Sequence, residues 1–356
     1  MVAEIVDLEP TFRKLVTIRR VKAIDPIPNA DAIEVVTVDG WKVVAKKGEF
    51  SVGDECVYFE IDSFLPEGNP AWQFLVDKSA RMFEGQRGHV LRTVTMRGQI
   101  SQGLILTLDA ALPGTHSFVV GDEVTRELGV KKWEPEIPAE LAGQVKGPFP
   151  SWIRKTDQER CQNIGDVIFA DPHALYEVST KLDGTSCTIY YNRGEIGVCS
   201  RNLEFKVNDE NADNTMIKLM RENRLDVSLP ALGRNVAIQG EVMGPGIQKN
   251  REQLKKAQLF VFDVYDIDRG QYMAPPERAA FIAQLQAFYA GLQHVPVMYT
   301  SVSLEQLGIS DVDGLLKFAD GPSLNHMIRE GLVFKRIDGL FSFKAISNLY
   351  LAKQKD

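Results

Sequence analysis

Between residues 15 and 61 the chain alternates short apolar runs with turn residues: LVTIRRVKAI, AIEVVTV, WKVVAK and ECVYFEI. Asp39-Gly40 and Gly53-Asp54 punctuate these runs, and Asp-Gly between β-rich segments is a hairpin signal. A second β set, VLRTVTMRGQISQGLILTL, spans 90 to 108, with Gly98 and Gly103 placed for bulges or sharp bends. Closely spaced short strands predict a small barrel. The stretch 133 to 150, WEPEIPAELAGQVKGPFP, has prolines at 135, 138, 148 and 150 and is poor material for a helix or a central strand.

Beyond it the pattern mixes two periods. TKLDGTSCTIYY and GEIGVCSRN read as strands, the second opening at the Asn192-Arg193-Gly194 turn. A helix is predicted from Asp213 to Leu225 and a clearer one over 276 to 290, where Pro276 suits a first turn and Phe281, Ile282, Leu285 and Phe288 share a face. AIQGEVMG, LFVFDVYDI, GLVFK and FSFKAI read as further strands. The pattern predicts an α+β protein: a β-barrel domain over 1 to 135, a linker over 136 to 150, and a mixed α/β domain over 151 to 356.

Composition narrows the classes. The 356 residues include 41 Lys plus Arg and 48 Asp plus Glu, with 44% hydrophobic residues, which excludes disordered, collagenous and membrane-embedded chains. The net charge of −7 requires any nucleic-acid contact to come from a local basic surface. Cys56, Cys161, Cys187 and Cys199 form neither a disulfide framework nor a Cys-x-x-Cys pair. The first residues, MVAEIVDLEP, lack a leader pattern, so a cytoplasmic protein without membrane contact is expected.

Lys181-Leu182-Asp183-Gly184 is the sharpest chemical feature, since a lysine before a turn-forming Asp-Gly can project its amine into a cleft. Alone it is weak: roughly one chain in twenty of this length carries Lys-x-Asp-Gly by chance. A hairpin turn with a solvated lysine is the plain alternative. Downstream follow Ser200-Arg201-Asn202, Gly240-Glu241, Phe260-Val261-Phe262-Asp263, Glu330-Gly331-Leu332-Val333-Phe334-Lys335 and Phe343-Lys344. Each has a plain reading by itself: Arg201 as a surface ion pair, Glu241 and Glu330 as solvated strand ends, Phe262 as core, Lys344 as an exposed lysine.

In this order the elements resemble the covalent nucleotidyltransferase superfamily of ATP-dependent polynucleotide ligases and mRNA capping enzymes. Thr185-Ser186, the Gly-Pro-Gly-Ile-Gln-Lys stretch at 244 to 249 and Phe262-Asp263 resemble RNA ligases of the ligase-2 branch. The upstream DAIEVVTVDGWKVVAKKGEFSVGDECVYFEIDSFLP and MRGQISQGL resemble the Deinococcus and Naegleria type, whose OB-fold domain precedes an ATP-grasp-like, antiparallel-sheet nucleotidyltransferase domain. The resemblance covers nearly the whole chain. It implies that Lys181 attacks the α-phosphorus of ATP and becomes lysyl-AMP. Arg201 is then a phosphate or ribose contact, Phe262 stacks on adenine, Lys335 and Lys344 meet the triphosphate, and Glu241 and Glu330 act near the ribose and a Mg²⁺ or Mn²⁺ ion. Glu204 as a water-mediated metal contact and Arg160 as a pyrophosphate contact are weaker implications, set against a solvated strand end and a helix-cap motif. To attack, Lys181 must lose its proton, and a metal, Arg201 or Lys344 would lower its pKa. The last motif departs from the branch: where Lys-x-Lys is expected, Ser342 and Ile346 flank Lys344 at two residues' distance, so either Lys335, Arg336, Lys353 or Lys355 supplies a second charge or one lysine suffices.

The implied substrate is RNA, a nicked duplex with an RNA 3′-OH end, sealed by a monomer in RNA repair. A DNA ligase or a GTP-using capping enzyme shares Lys-x-Asp-Gly, but those usually carry their OB domain after the catalytic one, and only a dozen residues follow Lys344 here. A non-catalytic adaptor would be expected to lose the lysine or the carboxylates first. In the N-terminal domain Arg19, Arg20, Lys22, Lys46, Lys47, Arg92 and Arg97, with Trp41 and Tyr58, could form either a stacking nucleic-acid face or a passive solvated one.

Overall fold

The computed structural model describes residues 14–114, 117–133 and 143–353. The chain divides into two compact units, Met1–Ile137 and Pro138–Asp356. In the first, a curled sheet runs in the order Leu104–Thr107, Glu55–Phe59, Val16–Pro26, Ile33–Val38, Trp41–Lys46. A register shift between Val21 and Ala23 bends its longest strand, so one strand serves both halves of the sheet. Asp39, at φ 51°, and Gly40 form the two-residue turn that pairs Val38 with Trp41, as their sequence predicts. Val44 N–H donates to Ser101 Oγ at 2.9 Å and brings the Gln99–Gln102 strand against the sheet's far edge. The result is an OB-type half-barrel.

Its interior decides one open question. Trp41 and Tyr58 are 0% and 1% exposed, with ring centroids 5.8 Å apart, so neither offers a stacking face. Arg19 and Lys22 both pair with Asp39, at 2.8 and 3.5 Å, and Arg20 pairs with Glu55 at 2.8 Å.

The second unit is built on two sheets. The larger runs Val145–Pro148, Leu203–Phe205, Glu195–Cys199, Thr185–Asn192, Val236–Met243, Gln258–Asp266, Gln271–Tyr272. The smaller runs Glu159–Arg160, Ser342–Ile346, Gly331–Arg336, Tyr176–Lys181, Val297–Val302. Helices Thr215–Glu222, Leu225–Leu232 and Pro275–Phe288 cover one face of the larger sheet, burying Ile217, Leu229 and Phe281 against Ile189, Ile238 and Val261. Helix Val312–Ala319 buries Leu315 and Leu316 against Val178, Phe334 and Phe343 of the smaller sheet. Strand period two then sends the alternate residues of both sheets to the opposite faces, where the site forms.

Three local readings change. Lys181-Leu182-Asp183-Gly184 is not a hairpin turn: Tyr176–Lys181 pairs with Gly331–Arg336, whereas Thr185–Asn192 pairs with Val236–Met243, so the tetrapeptide crosses between sheets. Val145–Pro148, read as linker, forms an edge strand against Leu203–Phe205, a place where Pro148 removes no needed donor. The helix predicted over Asp213–Leu225 is shorter, Thr215–Glu222, and a second helix, Leu225–Leu232, follows it. The first is capped by Asn214, which accepts from Met216 N–H at 2.9 Å, and the second starts after Arg224 at φ 56°. Pro135, Pro138 and Lys355 lie outside the described residues.

Candidate active site

Lys181 ends its strand opposite Gly331, where a Cβ would collide with the Ala345 carbonyl. The glycine lets its strand pack closely against Ser342–Ile346. Lys181 Nζ lies 2.8 Å from Glu330 Oε1. Glu241, facing Ser186 across the other sheet, accepts from Gly184 N–H at 2.9 Å. A Cβ at Gly184 would strike the Val242 carbonyl and crowd the Glu241 side chain, so only glycine permits this bond.

The electrostatics at this end favour added positive charge. Burial pushes the Glu241 carboxyl up to about 7, Glu330 pushes the same way, and Lys181 only partly opposes them. For Lys181 burial acts downward, but the charges of Glu330 and Glu241 outweigh it and hold the ammonium above its ordinary value. The sequence expectation of a depressed lysine therefore does not describe the free site. The nearest charges are carboxylates, not the cations anticipated from Arg201 and Lys344.

Across the pocket, Asp157 Oδ1 is 3.2 Å from Lys344 Nζ and its Oδ2 is 3.6 Å from Arg201 Nη2. The same pocket is lined by Thr156, Gln158, Ser179, Leu182, Ser186, Phe262, Val295 and Lys335 together with Lys181 and Glu241. Lys335 Nζ is 5.8 Å from the Phe262 ring centroid and donates to the Phe262 carbonyl at 2.6 Å and to Asp263 Oδ1 at 2.7 Å. Burial pulls this lysine below its ordinary value, Asp263 opposes, and Arg278 adds to the depression. Behind it Arg278, 1% exposed, forks onto Glu177 at 2.5 and 2.6 Å and lies 3.7 Å from Asp263.

Of the residues singled out in the sequence, Lys181, Arg201, Glu241, Phe262, Lys335 and Lys344 line one pocket, and Glu330 joins it through Lys181. Two do not line it. Glu204 is buried in the larger sheet, where its Oε1 accepts from Tyr190 OH at 2.5 Å and Lys146 Nζ at 2.9 Å. Arg160 is buried, its strand running parallel to Phe343–Lys344 with Arg160 in register with Lys344. Glu204 is held by Tyr190 and Lys146, away from Lys181. Among the described residues no three His, Cys, Asp or Glu side chains cluster as metal ligands, so the Glu241, Glu330 and Glu204 set is not assembled; only the first two converge. Of the described candidates for the second charge of the last motif, Lys335 alone lines the pocket, and Arg336 is turned to Asp338 at 2.8 Å.

Sequence reasoning missed the supports. Asp157, in the Lys155-Thr156-Asp157-x-x-Arg160 stretch, and Asp263, after Phe262, fall in stretches that carry the resemblance but without a role of their own, and Glu177 and Arg278 are ordinary charged residues in their local patterns. Arg329 is another: it donates to the carbonyls of Phe318, Ala319 and Asp320 at 2.8 to 2.9 Å, capping helix Val312–Ala319 and fixing the residue before Glu330. Ser347 N–H holds the Glu330 carbonyl at 2.9 Å. The one usable signal was Arg278 on the apolar face of an amphipathic helix, beside Phe281 and Ile282.

An OB-type unit followed by a two-sheet unit with a lysine between its sheets is the architecture of a polynucleotide ligase. Residues 15–108 match an OB-fold domain family and residues 175–346 match the RNA ligase family. A structure of Naegleria gruberi RNA ligase with PPi is 48% identical, covers 97% of this chain and 100% of its own, and superposes with a TM-score of 0.88. Variants of that enzyme with AMP and Mn and with ATP and Mn are 48% and 47% identical, each covering 95% of this chain and 98% of its own, with TM-scores of 0.88 and 0.87. Among curated proteins the chain finds no match. The chain belongs to the RNA ligase family. Among its described residues no helix is long and apolar enough to cross a membrane.

Proposed function

We propose that the protein is an ATP-dependent RNA ligase that acts in three nucleotidyl transfers. Lys181 Nζ attacks the α-phosphorus of ATP and forms a phosphoramide bond as pyrophosphate leaves; AMP then passes to an RNA 5′-phosphate; finally a 3′-OH attacks that end and AMP departs. The observation that carries this reading is the Lys181 amine set between Glu330 and Glu241 at one end of a pocket whose other end presents Arg201 and Lys344. Adenine is supported by the ATP and AMP complexes of the Naegleria gruberi enzyme. Phe262 offers the ring on which a base stacks, and Lys335, bonded to the Phe262 carbonyl and to Asp263, anchors that stretch of strand.

The donor set fits a hydrated divalent cation, Mg²⁺ or Mn²⁺: two hard carboxylates converge where burial already holds Glu241 up to about 7 for want of positive charge. Glu241 and Glu330 would hold it, and it would neutralise charge on the α-phosphate during displacement. With Glu330 so engaged, the Lys181 ammonium would lose its main charged stabiliser and hold its proton less tightly. Arg201 and Lys344 hold the phosphates in line.

The physiological reading is repair of nicked RNA by a cytoplasmic monomer, supported by the family and by the 3′-OH chemistry of the last step. Incubation with α-labelled ATP or GTP and Mg²⁺ or Mn²⁺, followed by denaturing electrophoresis, tests the first transfer. Covalent label from ATP, absent in Lys181→Ala, is expected. Label from GTP alone moves the protein to capping chemistry, and no label after removal of pre-bound AMP sinks the reading.

A further inference from the structure

Asp157 sits in the pocket as an anion shared by the two cations best placed for phosphate, 3.2 Å from Lys344 and 3.6 Å from Arg201. Its place is built by the fold. On one side, Thr156 Oγ1 donates to Gln239 Oε1 at 3.2 Å, and the Arg154 carbonyl accepts from Gln239 Nε2 at 2.9 Å and Tyr272 OH at 2.8 Å. On the other, Glu159–Arg160 runs parallel to Phe343–Lys344, and Cys161 N–H donates to the Lys344 carbonyl at 2.9 Å. Both flanks are pinned to the two sheets, so the Asp157 backbone is held at the pocket wall.

We infer that Asp157 is a resident counter-ion that stands in for a phosphate group: a specificity-determining residue that the polyphosphate must displace from Arg201 and Lys344, and that reclaims them when pyrophosphate leaves. This rests on the proposed nucleotidyl transfer at the same pocket. The side chain keeps two like charges from splaying apart in the free protein. Once phosphate oxygens take over those cations, the aspartate faces the incoming anion at close range and weakens its hold. Its effect falls hardest on the most highly charged occupants, ATP and pyrophosphate, and least on the AMP left on the lysine. The arrangement therefore discourages the reverse reaction, in which pyrophosphate attacks lysyl-AMP and regenerates ATP and the free amine.

Asp157→Asn keeps the side-chain shape and can still donate to or accept from its neighbours. Titration calorimetry of the full-length protein with inorganic pyrophosphate and with ATP in Mg²⁺ is expected to show both binding roughly three- to tenfold more tightly in Asp157→Asn. KM for ATP in lysyl-AMP formation should fall, and pyrophosphate inhibition should strengthen by a similar factor. Asp157→Glu should restore values near wild type. Unchanged or weaker pyrophosphate binding in a folded Asp157→Asn protein overturns the inference, since a merely structural aspartate would give that result. If Asp157→Asn does not fold, Asp157→Ser is read by the same criterion. Because pyrophosphate binding needs no chemistry, tighter binding in a protein that forms no lysyl-AMP would uphold the counter-ion while rejecting the ligase reading.

Discussion

At the Lys181 end of the pocket one ammonium stands between two carboxylates, whereas at the Asp157 end one carboxylate stands between two cations. The first end carries an excess of negative charge and the second an excess of positive charge. A lone amine and a lone phosphate would each need only one of them. A polyphosphate accompanied by a divalent cation suits both, which is why the contrast favours nucleotidyl transfer over simple anion binding. The contrast also explains the proton on the proposed nucleophile: in the free site the carboxylates hold it on, and only compensation of Glu330 and Glu241 releases it.

Removing charge at the lysine end should do the most damage. Glu330→Gln is expected to slow lysyl-AMP formation by roughly 10²- to 10³-fold, the order found for losing one preorganised electrostatic contact. Its residual activity should rise to its plateau at lower pH than wild type, because the ammonium has lost its partner; a single-turnover pH series reads both effects. At the other end, Lys344→Met should raise KM for ATP about tenfold while Arg201 remains, as expected for one charge-assisted contact in a half-open pocket. An equal loss at both ends would erase the comparison.

The smallest effect is on stability. Glu241 ionises near 4.5 when unfolded and about 7 in the folded protein, so the folded state binds the extra proton between those values. Stability without metal or nucleotide should therefore fall as pH rises from 4.5 to 7, by at most about 3 kcal/mol. Lys181, raised above its ordinary value, stays charged in both states across this window and adds no slope. Thermal melting of wild type against Glu241→Gln checks this: the variant should lose that part of the pH dependence, and added Mg²⁺ should remove it from wild type by favouring the carboxylate.

Much of this architecture was legible because strand alternation is local. Phe262 beside core Val261, Glu241 beside core Val242 and Lys344 beside core Phe343 each follow period two, so the sequence separates pocket face from buried face. The Asp39-Gly40 hairpin and the helix carrying Phe281 were equally readable. Glu204 shows the limit: it is a strand carboxylate near Arg201 in sequence, yet Tyr190 and Lys146 claim it. Asp157 shows the converse, a residue given no role of its own, in an irregular segment, that comes to lie between Arg201 and Lys344.

The sequence by itself determined the family, the order of an OB-type unit before a mixed unit, and which side chains in each strand avoid the core. These depend on residue type, spacing and period, all of which act over a few neighbouring positions. Tertiary structure alone decided that Lys-Leu-Asp-Gly joins two sheets, that Lys181 is paired with Glu330, and that Asp263 and Arg278 fix Lys335. Charge interactions reach only as far as space and dielectric allow, and residues 149 positions apart, such as Lys181 and Glu330, become neighbours only when the strands that carry them pair.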